Sequence, residues 1–220
     1  MNFGLAFSYV FQDTDWIKKV GIAALVLLIP IIGQIVVLGW ALNITKRVID
    51  RHPTPLPDLD FGNDIGRGFG GFVITFVYAL PITLFGLFSG LLSGLATSQS
   101  NSDAAVTFAM IVSLCFSVSV FFYVILMAVW LPAAYGNYIA KGNLGAGFAL
   151  GEVLGLVKAN TGAYLIVLLG TLVVGLISPL GTVLCIIGVV LTSAYGMAIT
   201  GHLYGQAYNE ATKNRLVTTG

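Results

Sequence analysis

Charge is scarce in this sequence, and for long stretches it is missing. Lys and Arg number 10 and Asp and Glu 9 among 220 residues, or 9% of the chain, against about 25% in soluble domains. Residues 69–95 carry no charge, and neither do residues 104–137. A helix on the surface of a soluble protein needs a polar stripe, and these runs offer only isolated Ser, Thr and Tyr. The net charge of +1 leaves no electrostatic footprint for nucleic acid, so none is expected as a partner. Cysteine is nearly absent too. Cys115 and Cys185 both lie in apolar runs, which excludes a disulfide framework and a thiol set for structural zinc. No metal and no cofactor is expected. The opening residues MNFGLAFSYVFQDTD have no basic n-region and place Asp13 and Asp15 where a cleavage site would lie, so no secretory signal peptide is expected.

What remains is apolar. Hydrophobic residues make up 57% of the chain and the mean hydropathy is +0.95. The two charge-free runs flank one polar turn, TSQSNSD at 97–103. Each run exceeds the ~20 helical residues needed to cross a bilayer core of ~30 Å. They form a transmembrane hairpin, and membrane lipid is the first expected partner. Gly is abundant at 27 residues, which suits close helix packing in lipid.

The other segments extend this reading. In residues 2–12, Phe3, Phe7, Val10 and Phe11 share a helical face, as in an amphipathic helix lying in the interface. Residues 16–50 have basic ends, Lys18 and Lys19 before, Lys46 and Arg47 after, and IPIIGQ in the middle. One kinked helix or two short legs would fit; the preference for basic residues on one side favours two legs. Three prolines in RHPTPLPD forbid a helix after Arg51. Asp58, Asp60 and Asp64 follow, read as caps with an Asp64–Arg67 pair. Residues 144–157 read as a second interfacial helix. An apolar leg at 164–177, a break at SPLG and a last helix over 182–208 complete the chain. The expected fold is all-α: a polytopic transmembrane helical bundle of about six membrane segments, with two short interfacial amphipathic helices, in a single integral membrane domain over residues 1–220. The first and last thirds share the order short helix, leg, break, leg, a possible parallel internal repeat. The basic residues place both termini in the cytoplasm, in a multi-pass cell membrane protein.

Polar residues within apolar segments are the natural place to seek chemistry. Tyr195, His202, Gln206 and Asn209 fall near one face of the last helix. His202 could shuttle a proton or ligate a metal, but the weight lies with a packed or interfacial hydrogen-bonding histidine, because no Cys, Asp or Glu is near it in sequence. Asn43, Tyr135, Asn137 and Asn160 could line a polar pocket, or could serve as helix-helix hydrogen bonds, belt residues and an N-cap. Glu152 could face water or pair with a basic residue from another loop. None of these makes a catalytic triad or a metal quartet. Small-residue seams are the stronger pattern: Gly86, Gly90 and Gly94 at four-residue spacing, then Gly188 and Gly196, with Gly201 and Gly205 as a further close-approach pair.

Several stretches carry a family resemblance. FQDTDWIKK at 11–19, LIPIIGQIVVLGWALNITKRV at 28–48, LPDLDFGNDIGRG at 56–68, ALP at 79–81 and PAAYGNYIAKGNLGAGFALGEVLGLVKANTGAYL at 132–165 keep their order over most of the chain. From about Phe7 to about Tyr208 the chain resembles DUF4013, a family of integral membrane proteins of bacteria and archaea. That family has no assigned activity, so the resemblance implies no catalytic role. The residues themselves favour a non-catalytic membrane scaffold, assembly factor or accessory subunit, working with a membrane-protein partner or a second copy. A small-solute transporter or channel-like permease is the alternative, and an intramembrane enzyme a more distant one.

Overall fold

A computed structural model describes residues 1–99 and 102–218, apart from the side chains of residues 99, 180, 183–186 and 216–218. Ser100 and Asn101, in the expected turn, and the Cys185 side chain fall outside the description. The described residues form nine α-helices: α1 (Phe3–Ser8), α2 (Trp16–Leu27), α3 (Ile32–Ile49), α4 (Phe61–Gln99), α5 (Asp103–Lys141), α6 (Leu144–Gly147), α7 (Leu150–Ala159), α8 (Thr161–Ile177) and α9 (Cys185–Thr218). Single 3₁₀ stretches follow α1, at Tyr9–Gln12, and α8, at Ser178–Leu184.

The chain divides into two compact units. One joins Met1–Ile74 with Val129–Gly220; the other is Thr75–Ala128. In the larger unit α9 is the central helix. It packs against α3, α8, α2 and α7, with α1 along its side. Its inward positions are small or aliphatic, with Ala194, Ala198, Ile199, Leu203, Ala207 and Ala211 all buried. The crossing with α3 is closed by glycine. A Cβ on Gly201 would lie 2.3 Å from the Ala41 carbonyl oxygen, and one on Gly205 2.6 Å from Val48 Cβ. Thr45 Oγ1 donates to the Gly201 carbonyl at 2.9 Å across the same crossing. The α3–α4 crossing is tighter still. A Cβ on Gly39 would fall 1.8 Å from the Asp64 carbonyl oxygen, and one on Gly68 1.8 Å from that of Ile35. Two backbones meet there with no side chain between them, the arrangement small residues permit in lipid.

The loop before α4 is tied down. Trp40 Nε1 donates to the Pro57 carbonyl at 3.0 Å, Lys19 Nζ to the Leu56 carbonyl at 3.1 Å, and Leu56 itself is buried. The acidic residues after it cap α4 reciprocally. Asp60 Oδ1 accepts from the Gly62 and Asn63 amides, while Asp64 Oδ2 accepts from the Asp60 amide at 2.9 Å. Asp64 also pairs with Arg67 at 3.3 Å.

In the hairpin unit α4 and α5 carry most of their large apolar side chains outward, among them Leu84, Leu87, Phe88, Leu91, Leu114, Phe121 and Phe122. Both helices run through a proline, Pro81 and Pro132. Just past Pro81 the Thr83 hydroxyl turns back to donate to the carbonyls of Ala79 and Leu80 of its own helix. Tyr123 donates from its hydroxyl to the Tyr78 carbonyl, joining the two helices. Cys115 is free and exposed on α5.

Two expectations are corrected. The chain is an all-α, multi-pass membrane protein, but not one of six segments: among the described residues three helices are long and apolar enough to cross, α3, α4 and α5, or four if α7 and α8 count as one broken span. The short legs explain the difference. α2 has 12 residues and α8 has 17, so at ~1.5 Å per residue they reach only about 18 and 26 Å of a ~30 Å core. α7 and α8 meet at a bend of 93°. α9 is long, yet it carries His202, Gln206, Asn209, Glu210, Lys213 and Arg215 in its second half. Second, residues 144–157 are not one helix. The backbone turns at Phe148 and Ala149 between α6 and α7, and Gly147 there packs onto the Ile74 side chain. The N-terminal segment keeps Phe3 and Phe11 of its apolar face exposed, while Val10 of that face is buried. The switch to 3₁₀ at Tyr9 turns Ala6, Tyr9 and Val10 inward and leaves Phe11 exposed. Residues 16–50 do form two legs, with a break at 28–31 and a left-handed backbone at Ile31 (φ 65°).

Candidate functional site

The polar face of α9 meets the N-terminal segment. Tyr195 donates from its hydroxyl to the Phe7 carbonyl at 2.7 Å. Gln206 makes a two-way clasp with Asn2: its Oε1 accepts the Asn2 amide at 2.7 Å and its Nε2 donates to the Asn2 carbonyl at 3.1 Å. That clasp fixes which end of the Gln206 amide is nitrogen. Nε2 lies 2.9 Å from His202 Nδ1, so Nδ1 accepts and the ring is neutral, with its proton on Nε2. Tyr9 stacks on the buried imidazole at 4.2 Å and 23°, and its hydroxyl donates to the Ala198 carbonyl at 2.9 Å. Asn209 points elsewhere, donating from Nδ2 to the Val48 carbonyl at 2.9 Å. His202 is thus held between an amide and an aromatic ring, with no carboxylate among these partners.

The other polar candidates do not converge on one pocket. Asn137 is buried and donates from Nδ2 to the Ala146 carbonyl at 2.8 Å and to Glu152 Oε2 at 2.7 Å. Glu152 takes Lys141 Nζ at 2.6 Å. Asn43 bonds the buried carboxylate of Asp64. Tyr135 packs against Tyr204, ring centroids 5.8 Å apart. Asn160 is the N-cap of α8, accepting the Ala163 amide at 3.0 Å. Among the described residues no group of three His, Cys, Asp or Glu side chains could hold a metal ion.

The glycine seams divide. Gly196 packs on Val174 of α8, where a Cβ would come within 2.5 Å of Cγ1. Gly188 is buried, and Gly181 lies against its carbonyl. Gly86 faces the Phe116 ring, but a Cβ on Gly90 or Gly94 would meet nothing within 4 Å. These three glycines line an open apolar groove of about 900 Å³ with Leu87, Leu91, Phe116 and Val120.

The sequence profile of the family described as protein of unknown function (DUF4013) matches residues 22–192. That span covers most of the chain. The chain belongs to the DUF4013 family. No curated protein and no solved structure matches it. In this DUF4013 chain the profile takes in α3, α4 and α5 whole and stops within α9, before the His202–Gln206 clasp.

One grouping in the DUF4013 chain went unread in the sequence. Lys46, Asn63, Arg67, Tyr138 and Lys141, with 139–140 and Gly142, line a polar cavity of about 470 Å³. In the sequence Lys46 and Lys141 serve as topology markers and Arg67 as the partner of Asp64. The signal that unites them is that each is the first charge bounding a charge-free run.

Proposed function

We propose that this protein is a non-catalytic scaffold or accessory subunit in the membrane, docking a transmembrane helix of a partner protein along its hairpin. The observation that carries this reading is the groove on the Thr75–Ala128 unit: small residues recur at Gly86, Gly90 and Gly94, two of them face open space, and large apolar side chains flank them. In lipid, helices associate by close packing and not by hydrophobic exclusion, so a smooth uncovered seam is where a second helix gains most. The basic residues at 18–19, 46–51, 141, 158 and 213–215, against none in 97–103, support placing both termini in the cytoplasm, with α2 and α3 entering and leaving the membrane by one face, in keeping with the bond from Lys19 to the Leu56 carbonyl.

A photocrosslinking residue at Leu87, in native membranes, tests the reading. The expected product joins this chain one-to-one to another membrane protein, or to a second copy, and disappears in Gly94→Leu. Crosslinks to lipid alone, or a purified monomer carrying a bound solute, would move the protein to the transporter class. Cysteine labelling from outside at Asp103 and not at Thr54, in a background lacking Cys115 and Cys185, checks the topology; the reverse pattern sinks it.

A further inference from the structure

The polar cavity described above gathers cations from three different helices. Lys46 comes from near the end of α3, Arg67 from the second turn of α4 and Lys141 from the last turn of α5. Their positions in the sequence say where the cavity lies. Residues 20–45, 68–102 and 104–140 contain no charge, and each cation is the first one beyond such a run. These are also the three helices long and apolar enough to cross. The first charge after an apolar span sits at headgroup depth, so all three mark one membrane boundary. Tyr138 stands among them as an interfacial aromatic, its hydroxyl donating to the Arg67 carbonyl at 3.4 Å and its ring filling the space over Gly70.

Among the described residues no carboxylate lines the cavity. Asp50, Asp64 and Glu152, none of them in the lining, pair with the three cations at 2.8, 3.3 and 2.6 Å, and Asn63 donates to Asp60 outside the lining. The partners leave donors over. An ammonium has three N–H groups and a guanidinium five; Lys46 commits one to Asp50, Lys141 two to the oxygens of Glu152, and Arg67 one to Asp64. The lysine side chains remain 46% and 47% exposed. Ile139 and Ala140 add an apolar wall. The volume of about 470 Å³ falls within the ~300–1,000 Å³ of small-ligand sites.

We infer that this cavity binds a phosphate group at the headgroup boundary, with Lys46, Arg67 and Lys141 as its cationic donors. A phosphodiester of an anionic lipid and a soluble phosphate share this chemistry. Arg67 supplies a planar fork, and the two lysines supply point charges from the flanking helices.

The test is retention of phosphatidylglycerol, against phosphatidylcholine, by the full chain in detergent, read by native mass spectrometry. The decisive variant is Lys46→Gln with Lys141→Gln. It leaves only half-exposed carboxylates unpaired and keeps the buried Arg67–Asp64 pair. Lys158→Gln with Lys213→Gln is the control, the same charge loss at exposed positions away from the cavity. Wild type should prefer phosphatidylglycerol, and the cavity variant should bind it about tenfold more weakly or worse, as expected for two cations at an anionic surface. The control should match wild type. Unchanged thermal melting in lipid-free detergent separates lost binding from lost folding; if the cavity variant is unfolded, Arg67→Lys is read instead, which keeps the charge and loses the fork. Inorganic phosphate in excess distinguishes the sources: displacement of the lipid assigns the site to soluble phosphates, no displacement to the lipid headgroup. Equal retention of the two lipids, or equal weakening in cavity and control variants, overturns the inference.

Discussion

In the larger unit a glycine marks where two backbones touch, at Gly39 and Gly68, or at Gly201 and Gly205 against α3. In the hairpin unit Gly90 and Gly94 touch nothing. The same residue at similar spacing therefore does different work. In the first case it closes the crossings of the bundle, and in the second it leaves a surface smooth. Polar groups divide the same way. In the larger unit several polar side chains reach across to other elements, Gln206 to Asn2 and Thr45 to Gly201. Many hydroxyls of the hairpin, among them Thr83, Thr107, Ser117 and Ser119, turn back onto their own helix. A bundle held by clasps specifies one arrangement, while a hairpin whose polar groups are satisfied internally is free to meet lipid or a partner.

The sharpest way to break this contrast is to place leucine at one glycine of each kind. Gly39→Leu forces a side chain into the Asp64 backbone and should cost about 3 kcal/mol or more, abolishing a cooperative melt in detergent. Gly90→Leu should move stability by no more than about 0.5 kcal/mol. Similar shifts in the two variants would show that the open seam is covered after all. The clasp on α9 gives a smaller effect. His202→Leu leaves Gln206 Nε2 short of an acceptor and should cost about 1–3 kcal/mol, while His202→Gln, which keeps an acceptor, should cost less. Denaturant unfolding of the two proteins compares them directly, and a glutamine variant as damaged as the leucine one would assign His202 a role beyond this bond.

Within the larger unit the smallest effect is in the pH response. Burial pushes the Asp13 carboxyl up, but the Lys19 hydrogen bond at 2.7 Å, the Asp15 amide and the Lys19 charge together hold it below its ordinary value. A carboxyl that binds protons more weakly when folded stabilises the fold above its unfolded pKa of about 3.9, and that contribution disappears as pH falls through the lower folded value. Asp13→Asn should therefore lower stability near neutral pH by about 1 kcal/mol, and its melting temperature should converge with wild type below about pH 4. A gap that persists into acid would separate the loss from the ion pair.

What was legible in the sequence was local. The charge-free runs announced α4 and α5, IPIIG the break before α3, and the aspartates the cap of α4, because each depends on neighbours a few residues away. The count of six crossings failed because hydropathy reads α2 and α8 as spans without measuring their reach. The Gly39–Gly68 contact was silent, since two glycines 29 positions apart make no period. So was the clasp of Asn2 on Gln206, where one polar residue near each end of the chain carries no mark of the other. The cavity of Lys46, Arg67 and Lys141 stood between these cases: its residues were visible, and only the packing of three helices shows that they converge.

The bond from Thr45 to Gly201 spans 156 residues of sequence. At a synthesis rate of about 5–20 residues per second, the face of α3 around Ala41 and Thr45 waits roughly 8–30 s for the helix that closes it. During that interval α3 is in the membrane or its insertion machinery with α4 already at hand and α9 still unmade. The Gly39–Gly68 crossing can form early and the Gly201–Gly205 crossing only late. A ribosome stalled before Gly201 would therefore present a half-built bundle, with the Ala41–Thr45 groove open to whatever membrane chaperone or protease reaches it first.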